Sequence, residues 1–331
     1  MFYSRYTQDE GNAITYSSGL AAAYAALVFL QPKRIAIRGG YHGCHATIDV
    51  FKKTRGADVT LIDIDEEFEA GDICWLETPV NPFGDSRDIK YYAEKIHKVG
   101  GKLLVDSTFG PPPLQYPFKF GADVVFHSGT KYFGGHSDLL AGVLVVKDIK
   151  DWNTLHVDRT YLGSMMGSLE AWLMLRSLKT LHLRVPRQSE SATALAQWLY
   201  QISVTPAGQQ YDGVPGGIVS QVWHSSLQKV DERGFDPKTQ MEGGFNATFS
   251  FLTASIPQAE QLPHLLHYFV VWSIVFYQPA TSLGGVESLI ERRLHSDPGA
   301  DPKLIRLSVG VEEFEDLKND LRQALQQLAE V

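Results

Sequence analysis

Two cysteines in 331 residues, Cys44 and Cys74, are too few for a disulfide framework and point to a reducing compartment. Long hydrophobic runs are missing as well. No stretch reaches the roughly 18 apolar residues that would span a bilayer, and Met1-Phe2-Tyr3-Ser4-Arg5 lacks the apolar stretch of a secretory leader. Positive charge is in deficit: 30 Lys+Arg face 38 Asp+Glu, and the net charge of −8 leaves no basic footprint for nucleic acid. Internal repeats and low-complexity linkers are also absent. The expectation is a cytoplasmic protein with neither a membrane nor a nucleic acid as partner. A chain of this length that is 44% hydrophobic can build a large core, and two domains are expected. Its six Trp and 14 Tyr read as core and interface residues.

What is present is an alternation of strands and helices. Apolar segments at Ile35–Arg38, Val59–Ile64, Ile73–Glu77, Leu103–Asp106, Val124–His127 and Val143–Val146 read as strands. Between them Ser86–Val99 reads as a helix stopped by Gly100-Gly101. This βα pattern predicts an α/β fold with a mainly parallel sheet covered on both faces. A long helical stretch over about Ser168–Leu181 would lead into a smaller C-terminal α/β domain. That domain would hold strands near Ile218–Trp223, Ala247–Leu252 and Ile305–Val309 and a polar amphipathic helix from Glu312. The division is placed at 1–180 and 181–331.

The most informative segment is Phe126-His127-Ser128-Gly129-Thr130-Lys131. It sets one lysine just after an apolar strand, beside two hydroxyls able to bind a phosphate, which is what a Schiff-base site for a cofactor aldehyde needs. A solvated loop lysine fits the same few residues. Leu103-Leu104-Val105-Asp106 reads as a buried strand ending in a carboxylate, which can hold a pyridine nitrogen protonated or simply cap a turn. Thr15-Tyr16-Ser17-Ser18-Gly19-Leu20-Ala21-Ala22-Ala23 opens a helix whose first-turn N–H groups can receive a phosphate, or be closed by an ordinary serine cap.

Taken with Tyr3-Ser4-Arg5, Gly40-Tyr41, Glu77-Thr78-Pro79-Val80-Asn81-Pro82, Asp106-Ser107-Thr108-Phe109, Ser282-Leu283-Gly284-Gly285-Val286-Glu287-Ser288 and Leu304-Ile305-Arg306-Leu307-Ser308-Val309-Gly310, these motifs occur in the order of a known family. The chain resembles the Cys/Met-metabolism group of pyridoxal-phosphate enzymes, which holds cystathionine γ-synthase, cystathionine γ- and β-lyases and methionine γ-lyase. The resemblance spans nearly the whole sequence and implies a fold-type-I transferase that binds pyridoxal 5'-phosphate. By resemblance Lys131 carries the cofactor, Asp106 pairs with the pyridine nitrogen, and Tyr41 stacks on the ring, where it is also placed to act as acid or base. Ser128, Thr130, Thr108 and the Gly19-Leu20 backbone would complete the cofactor site, and Tyr3 and Arg5 would reach into a neighbouring subunit's phosphate site. A homodimer or homotetramer with shared active sites is therefore implied. Arg306, with Asn81 and Ser282, looks like the clamp for the α-carboxylate of a small amino-acid substrate, because a planar guanidinium grips that group bidentately. An edge-strand arginine facing solvent is the plainer reading, but arginine suits an apolar run poorly.

The implied chemistry is γ-replacement or γ-elimination on a homoserine ester or cystathionine, through a vinylglycine-type intermediate, with cysteine as the usual nucleophile. Glu287 matches a family position associated with the distal amino group of cystathionine, and equally reads as a helix-start glutamate complementing the dipole. Leu283 stands where β-lyases typically carry tryptophan, which counts against β-elimination.

Three places depart from the family pattern. Tyr41-His42-Gly43-Cys44-His45 carries a histidine that relatives usually lack. Its packed His and Cys residues have no partner pair for a four-ligand zinc site, so no metal is expected, and Cys44 reads as a packed thiol or a reactive one. Arg293-Leu294-His295-Ser296-Asp297 replaces a Met-Thr-His segment near the substrate mouth. Finally, only Tyr6–Tyr16 separates Tyr3-Ser4-Arg5 from the Ser-Gly-Leu turn, where relatives have an arm and a helix. Two alternatives stay open: the same chemistry with a carbon or nitrogen nucleophile, and a shortened, non-catalytic member acting as an assembly partner.

Overall fold

Short runs rich in Val, Ile and Leu form the seven strands of the larger sheet: β1 (Asn12–Tyr16), β2 (Arg34–Ala36), β3 (Thr60–Ile62), β4 (Ile73–Glu77), β5 (Lys102–Asp106), β6 (Val124–Ser128) and β7 (Gly142–Val146). The computed structural model describes residues 11–55, 59–271 and 282–329. Strand order is β1-β7-β6-β5-β4-β2-β3. From β3 through β6 neighbouring strands pair in parallel, while β7 runs antiparallel to both β6 and β1. Helices α1 (Gly19–Leu30), α2 (His42–Arg55), α3 (Ile89–His97), α4 (Ile149–Leu162) and α5 (Ser168–Leu178) accompany it. All residues of β4 and β7 are buried, as expected of strands covered on both faces. The expected α/β fold with a mainly parallel sheet is what the chain adopts.

Alanine gives α1 its close seat on this sheet. Ala22, Ala23, Ala25 and Ala26 are fully buried in a core cluster with Tyr16, Trp75, Leu104, Phe126 and Leu144. A Cβ on Gly142, at the start of β7, would lie 2.2 Å from the Ser18 carbonyl oxygen and 2.7 Å from the Ala22 Cβ, so only glycine lets the strand pass beneath the helix start.

A second unit holds α6 (Leu181–Val204), a ribbon of β8 (Gln210–Tyr211) and β9 (Val214–Pro215), and five further strands. These are β10 (Val219–Trp223), β11 (Thr248–Thr253), β12 (Val270–Val271), β13 (Leu289–Arg292) and β14 (Leu304–Ser308), in the order β10-β11-β14-β13-β12. Pairing is antiparallel except between β12 and β13. Two helices complete it, α7 (Ile256–Gln261) and α8 (Phe314–Leu328). On α8 the residues Leu317, Leu321, Ala324, Leu325 and Leu328 form the buried stripe that helical spacing dictates. The partition is not linear in sequence. The first unit takes the chain up to Asn81, Ser86–His182 and Val230–Gly244, and the second takes Pro82–Asp85, Leu183–Lys229 and the chain from Phe245.

Several elements differ from the sequence-based expectation. Thr15 and Tyr16 end a strand, and the helix opens only at Gly19, where the Ser18 side chain accepts the Ala21 N–H at 3.1 Å. The helix expected over Ser86–Val99 is confined to Ile89–His97, because Asp88 takes the Tyr91 N–H and caps it there. The stretch 168–181 divides between α5 and α6. Glu287 is not at a helix start: it is exposed in a bend that runs into β13.

Candidate active site

Parallel pairing brings the carboxyl ends of successive strands to one edge of the larger sheet, the place where α/β folds bind ligands. Glu77, Asp106 and Ser128 end β4, β5 and β6. The turn after β2 supplies Gly40 and Tyr41, and the turn after β1 supplies Ser18 and Gly19. Lys131 follows β6 in a tight turn in which its N–H donates to the Ser128 carbonyl at 3.1 Å and its carbonyl accepts from Gly135 at 2.7 Å. The half-buried lysine is thus carried on a hydrogen-bonded turn next to the strand end.

Asp106 is 3% exposed. Its Oδ1 accepts the Thr108 N–H at 3.0 Å and the Thr108 hydroxyl at 2.6 Å, while that hydroxyl oxygen accepts the Ser128 N–H at 2.9 Å. Thr108 therefore ties the β5 carboxylate to the end of β6, two residues that the sequence separates by a full strand-and-loop unit. Opposite Asp106 in the β4–β5 register stands Glu77, also buried, which accepts the N–H of Tyr41 at 2.8 Å and of Asn81 at 2.7 Å. Burial, and then the facing Glu77 charge, push the Asp106 carboxyl above the ordinary aspartate range, against the pull of the Thr108 hydrogen bonds. Burial likewise raises Glu77. Two buried acids at one strand edge make a site where a cation against Asp106 is strongly favoured.

Around them lies a cradle. Gly40 has φ +83°, in the left-handed region, and a Cβ there would meet Glu77 Oε2 at 2.4 Å. The Tyr41 ring lies over Gly43, where a Cβ would be 2.4 Å from it and 3.1 Å from the Leu20 side chain. Tyr41 is 40% exposed and tilts against His42 at 4.8 Å between ring centroids. A Cβ on Gly19 would meet Ser128 Oγ at 3.1 Å, which puts the first turn of α1 against the Ser128 hydroxyl. First-turn N–H groups such as those of Gly19 and Leu20 have no carbonyl partner within a helix, so this corner suits a phosphate. Thr130 Oγ is engaged with Ala141, accepting its N–H at 3.0 Å.

The structure thus brings Lys131, Asp106, Thr108, Ser128, Thr130, Tyr41, Gly19 and Leu20 to one sheet edge. Asn81 is in the same unit, buried and bonded through its N–H to Glu77. Arg306 and Ser282 belong to the second unit, where Arg306 Nη2 donates to the Ser282 carbonyl at 3.2 Å and meets Glu291 Oε2 at 2.6 Å. Tyr3 and Arg5 lie outside the described residues. Sequence reasoning passed over Glu77 and Glu291. Glu77 was legible in principle, since it ends a buried strand just as Asp106 does. Nothing in the sequence pairs Glu291 with Arg306 before the β13–β14 register is known.

The tempting His-Cys-His cluster disperses along α2. Cys44 packs in the core cluster with burial holding its thiol well above the ordinary range, as for a packed rather than a reactive cysteine, and His45 meets the Gly39 carbonyl at 2.8 Å. Among the described residues no group of three or more His, Cys, Asp or Glu is arranged to hold a metal.

A lysine, a buried carboxylate and a phosphate-receptive helix start on the carboxyl edge of a mainly parallel sheet define a pyridoxal-phosphate-dependent enzyme. The family model for the Cys/Met metabolism PLP-dependent enzyme matches residues 7–326. Cystathionine gamma-synthase of Mycobacterium tuberculosis is 35% identical over 332 residues, covering 95% of this chain and 79% of that protein. Cystathionine beta-lyase of Lactococcus lactis is 32% identical, covering 94% and 81%. Among solved structures, the methionine gamma lyase CalE6 from Micromonospora echinospora superposes with TM-score 0.79 at 32% identity, over 95% of this chain and 81% of that one. A cystathionine gamma synthase from Xanthomonas oryzae gives 0.79 at 29%, over 96% and 82%. The chain belongs to the Cys/Met metabolism family of pyridoxal-phosphate-dependent enzymes.

Proposed function

We propose that this protein catalyses γ-replacement or γ-elimination on a homoserine ester or cystathionine, with a γ-synthase or γ-lyase type of outcome. The observation that carries this reading is the Lys131–Ser128–Thr108–Asp106 chain at one sheet edge beside the α1 start. The cradle fits the cofactor: glycine at 19 and 43 lets the Ser128 hydroxyl and the Tyr41 ring close on the α1 and α2 starts, and Asp106 is a buried carboxylate set against a second acid. Pyridoxal phosphate, when bound, supplies an electron sink for the pair released at the substrate's α carbon.

The side chains supply the rest. Ser128, Thr130 and the N–H groups of Gly19 and Leu20 would hold the phosphate, Tyr41 would cover the ring face, and Asp106, fixed by Thr108, would keep a proton on the pyridine nitrogen. The Lys131 amine takes the α proton and carries it onward, then takes a β proton. Arg306 would grip the α-carboxylate, Asn81 and Ser282 are the other residues assigned to that group, and Glu287 is the exposed residue assigned to a distal amino group. At the γ carbon the bond to the leaving group breaks with its electron pair. A cysteine sulfur then forms the new bond, or protonation and hydrolysis release a 2-oxo acid and ammonia.

The γ choice rests on the γ-synthase relatives and on Leu283, buried where β-lyases typically carry tryptophan. The test is product analysis of the holoenzyme with an O-acylhomoserine, with and without cysteine, and with cystathionine alone. Cystathionine or 2-oxobutanoate supports the reading. Pyruvate as the main product from cystathionine overturns it in favour of β-elimination.

A further inference from the structure

The second unit contains three buried charges in one hydrogen-bonded ring. β13 and β14 pair so that Glu291 faces Arg306, and their side chains meet at 2.6 Å. The chain then turns through Arg293–His295, which returns Arg293 and Ser296 to the same carboxylate. Arg293 Nη1 lies 3.3 Å from Glu291 Oε1 and donates to Ser296 Oγ at 2.8 Å, and Ser296 Oγ donates to Glu291 Oε1. Glu291 is 8% exposed and both arginines are 4% exposed. Arg292 lies outside this ring, bonded to Glu260 at 2.9 Å and to the Pro302 carbonyl at 2.8 Å.

Among the described residues, the ring sets two guanidinium charges against one carboxylate, an excess of one positive charge held away from water. Arg293 Nε is buried with no hydrogen-bond partner among the described residues. An excess of buried charge is costly, so the ring favours one further anion. The count decides between two arrangements. With Arg306 and Glu291 alone, an arriving carboxylate would create a net negative buried site and compete with Glu291 for the same guanidinium. With Arg293 present, the carboxylate brings the site to neutrality, and Glu291 stays paired to Arg293 and Ser296 while Arg306 turns to the ligand.

We infer that Arg293 and Ser296 are positioning residues that hold Glu291 in reserve, so that Arg306 can be handed from Glu291 to the substrate's α-carboxylate. This rests on Arg306 being the carboxylate clamp. It also explains the segment that departs from the relatives' pattern, since the Arg293–Ser296 turn supplies the compensating charge and the hydroxyl from within four residues of chain.

The test uses the holoenzyme as wild type, Arg293→Gln, Arg293→Lys, Glu291→Gln and the double variant Arg293→Gln/Glu291→Gln. KM and kcat are measured together with the dissociation constants, by calorimetry, of 2-aminobutanoate and its amide. Arg293→Gln should raise KM and weaken 2-aminobutanoate about tenfold or more, as loss of a charged hydrogen-bond partner does. It should lower kcat by less than about threefold and leave amide binding unchanged. Arg293→Lys should fall between, and the double variant, with no Glu291 charge left to compete, should recover most of the lost acid binding. A fall in kcat and Tm with KM unchanged, or a double variant worse than the single, would show a merely structural role and overturn the inference. The underlying assignment fails separately: Arg306→Gln would then leave the preference for acid over amide intact.

Discussion

Lys131 and Asp106 were readable because each ends an apolar strand that must be buried, so the polar residue closing it marks the sheet edge. Their link through Thr108 was not readable as geometry, since it depends on β5 lying beside β6. Replacing Lys131 by Ala is expected to abolish turnover, measured as 2-oxo acid release. For Asp106 the sign of the pH effect follows from linkage. Burial and Glu77 raise its folded pKa to about 8, above the unfolded value near 4. The folded protein therefore keeps a proton that the unfolded chain releases, and this contribution to stability is full below pH about 4 and is lost as pH rises towards about 8. Denaturant unfolding of the cofactor-free protein should show that decline, and Asp106→Asn should flatten it while removing turnover. A pH dependence unaltered by Asp106→Asn would contradict the assignment.

At the scale of elements, β4 and β5 were legible almost to the residue, because a buried parallel strand admits no polar interruption. Less visible were β1, α2 and α4. Thr15 and Tyr16 lie so close to the serine cap that one amphipathic pattern runs into the next, and α2 carries Gly43, Thr47 and Val50, which a propensity reading does not favour in a helix. The meeting of α1 and β7 is the packing on which the phosphate corner depends. Gly142→Ala would force a Cβ against the Ser18 carbonyl and is expected to cost about 3 kcal/mol, the upper range for overpacking, and to weaken cofactor retention after desalting. Ser18→Ala removes only the cap and should cost about 1 kcal/mol. Equal, small losses in both would mean that the close approach is not what seats the helix.

At the scale of the molecule, no helix among the described residues is long and apolar enough to cross a membrane. Exposed apolar residues gather instead on α4 and α5: Tyr161 is 88% exposed, Leu169 64% and Trp172 58%. A second copy of the chain is the proposed cover, in keeping with the role assigned to Tyr3 and Arg5. The proposed sharing of sites between subunits has a direct consequence. Arg5→Ala should retain cofactor poorly and Lys131→Ala should be inactive. Dissociating and reassociating the two together should restore up to about a quarter of wild-type activity, because half of the dimers would be mixed and each mixed dimer would carry one intact site of two. No recovery on mixing would argue for sites completed within one chain.

The central claim is that Lys131 holds the cofactor at the carboxyl edge of the larger sheet. The visible absorption spectrum of the purified protein, after incubation with pyridoxal phosphate and desalting, tests it when compared with Lys131→Ala. The account predicts a retained band in the wild type that moves or disappears in the variant; the same band in both, or none in either, would contradict it.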